Sequence, residues 1–226
     1  MINVQNASLS RTHSSADTFW RESEFLCGIM TFIINLISGP GNGKSTLSYL
    51  ICFVLKILQF KVELVQEFAK TLVWAEDFET LNNQHFVSQR QYRRMRDIDG
   101  KVDFVVTDGC ILHGLYYNRY NDDNLSNVSK TEQAILSWYH QFQNINIFLE
   151  RGDFPYEQVG RIQSHEEALE IDRKLLEILN EHDITYLICQ SDQRNLEMIL
   201  GYISRISNMP IPHPTAIKLT PDGVSR

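Results

Sequence analysis

The sequence predicts an α/β domain with a mostly parallel sheet covered by helices on both faces. Short apolar runs rich in Val, Ile, Phe and Tyr recur along the chain, and segments of helical length separate them. The motifs that carry chemistry all fall at the carboxyl ends of those runs. Strands buried on both faces read as continuous apolar runs, and parallel neighbours need a crossover, usually a helix. At 226 residues the chain is long enough for one such domain without disulfides or metals to stabilise its core.

Strand-like runs lie at 31–38 (TFIINLIS), 61–66 (KVELVQ), 102–108 (VDFVVTD), 145–150 (INIFLE) and 184–189 (ITYLIC). The first belongs to the apolar stretch 25–37, which is too short to span a bilayer, lacks a basic leader and runs directly into a glycine-rich turn. A buried strand follows from that, and no membrane partner is expected. Helical candidates are 44–58, 67–75, 80–99, 130–142, 165–182 and 193–206. In 165–182, Ala168, Ile171, Leu175, Leu176 and Leu179 are spaced to form one buried stripe. Residues 1–24 are polar and without clear periodicity, the compact domain is expected to start at Met30, and the segment 210–226 is rich in prolines and turn formers. Segments 1–29 and 210–226 read as a flexible extension and a flexible tail flanking a domain over 30–209.

The formal charge of −7 and pI near 5.5 argue against a chain whose main work is gripping a nucleic-acid backbone. Cys27, Cys52, Cys110 and Cys189 are scattered through apolar stretches without metal-ligand spacing, as reduced core residues are.

The chemistry begins at Ser38–Ser45, SGPGNGKS. It fits the phosphate-loop pattern G-x-x-x-x-G-K-[ST] at every position but the first, where Ser38 stands and Gly39 follows. Amides of Gly41, Asn42, Gly43, Lys44 and Ser45 converge on phosphate oxygens if a helix starts at Lys44, since the helix N-terminus carries positive partial charge. Gly39 eases the turn, Pro40 offers no amide, and Thr46 extends the motif. Lys44 is expected at the β- and γ-phosphates of ATP, and Ser45 at Mg²⁺. Asp108 ends its strand where a Mg²⁺-holding carboxylate belongs, although aspartates also end strands as turn formers.

Glu67 follows the second strand at the same sheet edge and is placed to accept a proton from an acceptor hydroxyl; the alternative is a glutamate favoured by a helix dipole. Arg151 and Arg161 follow the fourth strand. They are placed to stabilise charge on a transferring phosphoryl group, or else to pair on the surface with Glu157 or Glu166.

Together SGPGNGKSTL, VELVQEFAKTLVW, KVDFVVTD and FLERGDFPYEQVGRIQSHEEALEIDRKLLEIL resemble the P-loop nucleoside and nucleotide kinase-like proteins, specifically the NadR-type AAA-domain family often seen in phage genomes. The resemblance spans residues 31–190. It implies a three-layer P-loop NTPase sandwich with a five-stranded sheet in the order 2-3-1-4-5 and a small lid. It also implies ATP with Mg²⁺, a nucleoside-like acceptor such as ribosylnicotinamide, and a cytoplasmic location, that of the host if the chain is phage-encoded. Such kinases seat adenine where Gln190–Arg194 lies here.

The acceptor pocket is then expected from the segment after strand 2 and the following helix. Gln84 and Gln89 are suited to reading an amide or base edge, Trp74 and Phe86 to stacking, and Arg93 to holding an anion. The alternative makes Trp74 and Phe86 core residues and Arg90, Arg93, Arg94 and Arg96 a solvated face. The leading expectation is a small-molecule kinase. A regulatory ATPase that uses its tails or the 118–133 loop for partners is a second possibility, and a polynucleotide 5′-kinase is a third. Oligomeric state is not encoded in any feature read above.

Overall fold

The computed structural model describes residues 30–152, 155–157, 159–213, 218–220 and 223–225. Cys27 and the expected extension over 1–29 lie outside them. Five strands, β1 (Phe32–Ile37), β2 (Val62–Val65), β3 (Phe104–Thr107), β4 (Gln143–Glu150) and β5 (Leu187–Gln190), form one sheet in the order β2-β3-β1-β4-β5. Every pairing in it is parallel. The central strand β1 is buried along its whole length, which explains why it reads as an unbroken apolar run.

Eight α-helices are described: α1 (Lys44–Ile57), α2 (Phe68–Trp74), α3 (Phe78–Leu81), α4 (Gln84–Arg96), α5 (His113–Tyr120), α6 (Val128–Tyr139), α7 (His165–Glu181) and α8 (Leu196–Ser207). The helix expected over 80–99 is two, because the Asp77 side chain caps α3 and the Asn83 side chain caps α4. The expected 118–133 loop is largely helical, with the end of α5 and the start of α6 leaving only 121–127 between them. A two-stranded antiparallel hairpin, β6 (Lys218–Thr220) and β7 (Gly223–Ser225), follows in the C-terminal segment.

The two sheet faces carry separate apolar layers. On one, Ile34, Leu36, Phe104 and Val106 meet Ile51 and Leu55 of α1 and Ile199 and Ile203 of α8. On the other, Ile33, Ile37, Val105 and Phe148 meet α4, α5, α6 and α7. In α7 the buried stripe is Ala168, Ile171, Leu175, Ile178 and Leu179, with Ile178 where Leu176 was expected; Leu176 is half-buried. A capping box between Ser164 and Glu167 fixes the start of α7, and so sets which of its residues face the glycine loop. Cys52, Cys110 and Cys189 are buried free thiols. Among the described residues no helix is long and apolar enough to cross a membrane.

One polar network interrupts the second layer. Asn35 of β1 donates to Asn144 (2.9 Å) and Asn146 (3.1 Å) of β4, and Asn146 donates to the Tyr139 hydroxyl (2.7 Å) and the Thr185 carbonyl (3.0 Å). Buried amides are tolerated only when so satisfied. Tyr139→Phe removes one acceptor and leaves the packing in place. Urea unfolding is expected to show a loss of about 1–2 kcal/mol, and an unchanged midpoint would show that the network contributes nothing.

Candidate functional site

The glycine loop joins β1 to α1 at the carboxyl edge of the sheet. Gly41 and Gly43 have φ of 76° and 70°, values that side chains rarely adopt. At Gly41 a Cβ would also collide with the Tyr156 ring. No side chain caps α1, and among the described residues no acceptor meets the amides from Gly41 to Thr46. A helix start with open amides and no cap is a seat for an anion. Thr46 is exposed on the first turn, whereas Asn42 is buried and donates to the Leu149 carbonyl (2.5 Å), pinning the loop to β4.

A second anchor is a salt bridge. Asp172 of α7 accepts from the Gly39 amide (2.5 Å) and from Arg151 Nε (2.6 Å). Arg151 donates further to the carbonyls of Pro40 and Ala168, each at 3.0 Å. Arg151 is therefore tied to the loop backbone and to Asp172, neither of the surface partners considered for it. Burial pushes the Asp172 carboxyl upward against the opposing effects of the Gly39 amide and Arg151. Arg161 lies 4.0 Å from Glu157, with its guanidinium 5.3 Å from the centre of the Tyr156 ring. It reaches the glycine loop through that ring. The Trp74 ring, 62% exposed, rests against Gly160 of the same connection, where a Cβ would come within 2.6 Å of it.

Lys44 donates to the carbonyls of Ser38 (2.8 Å) and Gly39 (2.7 Å). Burial lowers its pKa, with Glu67, Asp108 and Asp172 opposing. The Ser45 hydroxyl donates to Asp108 Oδ2 (2.5 Å), and Oδ1 of the same carboxylate accepts from the Glu67 amide (3.0 Å). Ser45 and Asp108 thus present adjacent hard oxygen donors of the kind that suit Mg²⁺. Gly109 permits this closeness, since a Cβ there would meet the Glu67 backbone at 2.6 Å.

Lys44 and Glu67 line one narrow cleft with Ser38, Pro40, His113, Tyr116, Tyr117, Ile171 and Leu175. His113, Tyr116 and Tyr117 escaped the sequence reading; the available signal was an aromatic cluster directly after the strand that ends at Asp108. Gln91 escaped it too. This buried side chain accepts from the Phe68 amide (2.9 Å) and donates to the Thr107 hydroxyl (3.3 Å), fixing the start of α2 and with it Glu67.

The other acceptor nominees lie outside the cleft lining. Gln84 is buried and donates to the Leu81 carbonyl (2.8 Å), and Gln89 is half-buried on α4. Phe86 is 38% exposed and packs on Phe68, so neither it nor Trp74 is a core residue. Arg93 lines a surface depression of about 440 Å³ with Arg90, Arg94, Arg96 and Asp97.

Burial pushes the Glu67 pKa above its ordinary 4.5, more than Lys44 pulls it down. The folded chain therefore holds a proton at pH values where the unfolded chain has released it. The stability tied to that proton is present below the ordinary carboxylate range and lost as pH rises through the raised value. Glu67→Gln is expected to be more stable than the native chain at pH 7, with the gap closing as pH falls toward about 4. Urea titrations at the two pH values measure this, and a variant less stable at pH 7 contradicts it.

The fold agrees with the family comparison. An AAA domain family model matches residues 33–195. No curated protein matches the chain. Among solved structures, a DUF1611 family protein from Anabaena variabilis aligns at 11% identity and a TM-score of 0.34, over 92% of this chain and 57% of that one. The chain thus spans little more than half the length of that protein. With its sheet order, glycine loop and matched span, the chain belongs to this AAA domain family of nucleotide-binding P-loop proteins.

Proposed function

We propose that the chain transfers the γ-phosphoryl group of ATP, in the presence of Mg²⁺, to a hydroxyl of a small nucleoside- or nucleotide-like acceptor, with ribosylnicotinamide among the candidates. The observation that carries this reading is the position of Glu67. A glycine loop and a Mg²⁺-type carboxylate serve any P-loop protein, but here a second, half-buried carboxylate shares the cleft with the loop lysine. A carboxylate whose pKa burial has raised is suited to take a proton from a hydroxyl as that hydroxyl attacks.

The residues divide the work as follows. Amides of Gly41, Asn42, Gly43, Lys44, Ser45 and Thr46 seat phosphate oxygens, with Gly39 shaping the turn. Lys44 exchanges its two carbonyl contacts for the β- and γ-phosphates. Ser45 and Asp108 hold Mg²⁺, which when bound neutralises phosphate charge. Arg151, fixed by Asp172, keeps the loop in shape and adds positive charge beside it. Arg161 and Tyr156 cover the loop and exclude water that would otherwise accept the phosphoryl group.

The arginine-lined depression on α4 favours one second reading, a 5′-hydroxyl polynucleotide as acceptor. Arg94 donates to the Gln66 carbonyl (3.2 Å), next to Glu67. Acceptor binding that weakens steeply with salt is the mark of that reading.

A product screen tests the proposal, using ATP, Mg²⁺ and a panel of nucleosides, ribosylnicotinamide, nucleoside monophosphates and a 5′-hydroxyl oligonucleotide. A phosphorylated product is expected from the native chain and none from Lys44→Ala. Glu67→Gln is expected to lower kcat by about 10²- to 10⁴-fold with nucleotide affinity retained. ATP hydrolysis without any phosphorylated acceptor would contradict the kinase reading and favour the regulatory ATPase.

A further inference from the structure

We propose that His113 is the hydrogen-bonding residue that selects the acceptor, and that the cleft it lines receives an acceptor portion bearing no negative charge. This rests on the phosphoryl-transfer reading of the same site and narrows its substrate class.

His113 opens α5 and is 7% exposed. Its Nε2 is fully buried and has no hydrogen-bond partner among the described residues. Buried polar nitrogens are ordinarily paired, and one that is not calls for an explanation. Here the ring lines the cleft that holds Lys44 and Glu67, so an acceptor group that displaces the cleft wall is its available partner. Burial, reinforced by Lys44, pulls the imidazole pKa down to about 3. The ring is thus neutral near pH 7, with one nitrogen donating and the other accepting, and it recognises an uncharged hydroxyl or amide.

The rest of the lining points the same way. Tyr116 and Tyr117 offer aromatic faces, and Ile171 and Leu175 an apolar wall, a surface that suits a flat ring. Lys44 is the only cation among the described lining residues, and it belongs to the glycine loop. Arg151 nearby is committed to Asp172, Pro40 and Ala168. An anionic acceptor in this cleft would face Glu67 with no counter-charge of its own, a costly burial. The chemical class is therefore a nucleoside-like alcohol in preference to its monophosphate. The cleft measures about 30 Å³, room for one water. The acceptor must displace wall side chains as it binds, which makes binding as informative as turnover.

The test compares the native chain with His113→Leu and His113→Gln, the second keeping a polar group near the Nε2 position. Nucleosides and their 5′-monophosphates are titrated by calorimetry with a non-hydrolysable ATP analogue and Mg²⁺ present, and turnover is measured in parallel. The native chain is expected to prefer nucleosides over monophosphates. His113→Leu is expected to weaken nucleoside binding and raise the acceptor KM by about 10-fold or more, while affinity for the analogue stays within about twofold. His113→Gln is expected to recover part of the loss. Nucleoside binding unchanged in a folded His113→Leu, preference for monophosphates, or no nucleoside binding would each overturn the assignment. Nucleosides that bind through His113 but are never phosphorylated would refute the kinase reading and support the role given to His113.

Discussion

The two oxygens of the Asp108 carboxylate face different parts of the chain. One accepts the Ser45 hydroxyl from the first turn of α1, and the other accepts the Glu67 amide from the end of β2. These groups are 63 and 41 residues away along the chain, and the sheet order brings them together by placing β3 between β1 and β2. Asp108, at the end of a fully buried strand, thus ties the half-buried Glu67 to the first turn of α1. Charge-assisted hydrogen bonds to a buried carboxylate are among the stronger and more directional contacts available, so this junction of β1, β2 and β3 is stiff.

On the other side of the loop, Asp172 and Arg151 supply a matching constraint. The pair is largely buried, and Arg151 spends its donors on the loop and on α7. Such a pair adds little net stability after desolvation, but removing one member leaves a buried charge uncompensated. Its service is positional: it anchors the Gly39 amide and the Pro40 carbonyl, beside the Ser38 and Gly39 carbonyls that hold Lys44. Burial disfavours the charged forms of Lys44, Glu67 and Asp172 together. Holding these groups in the cleft therefore costs stability, the trade-off expected if they serve the proposed reaction.

Much of this was legible in the sequence because burial on both faces makes parallel strands read as apolar runs, and because a phosphate loop requires particular glycines. The strands and the loop needed no tertiary information. Helix α5 was hidden because its short span carries Gly114 and Asn118, poor helix formers, and its helicity depends on packing between α4, α6 and α7. Gln91 was hidden for a different reason. The buried face of α4 is Gln84, Val87, Ser88, Gln91, Tyr92 and Met95, half of it polar, so hydrophobic periodicity was too weak a signal to show that Gln91 faces inward. Gln89 and Arg93 lie off that face, and Gln84 is on it but bonded to the Leu81 carbonyl.

On the proposed reading, the open amides at the start of α1 and the side chain of Lys44 recognise the terminal phosphates of a nucleotide. Calorimetric titration of the native chain with ATP, ADP, AMP and adenosine, each with Mg²⁺, tests it most directly. ATP and ADP are expected to bind at least about 100-fold more tightly than AMP or adenosine, because those amides and Lys44 read the β- and γ-phosphates. Equal affinity for ATP and adenosine would contradict it, since recognition would then lie in the base and the glycine loop would be only a turn.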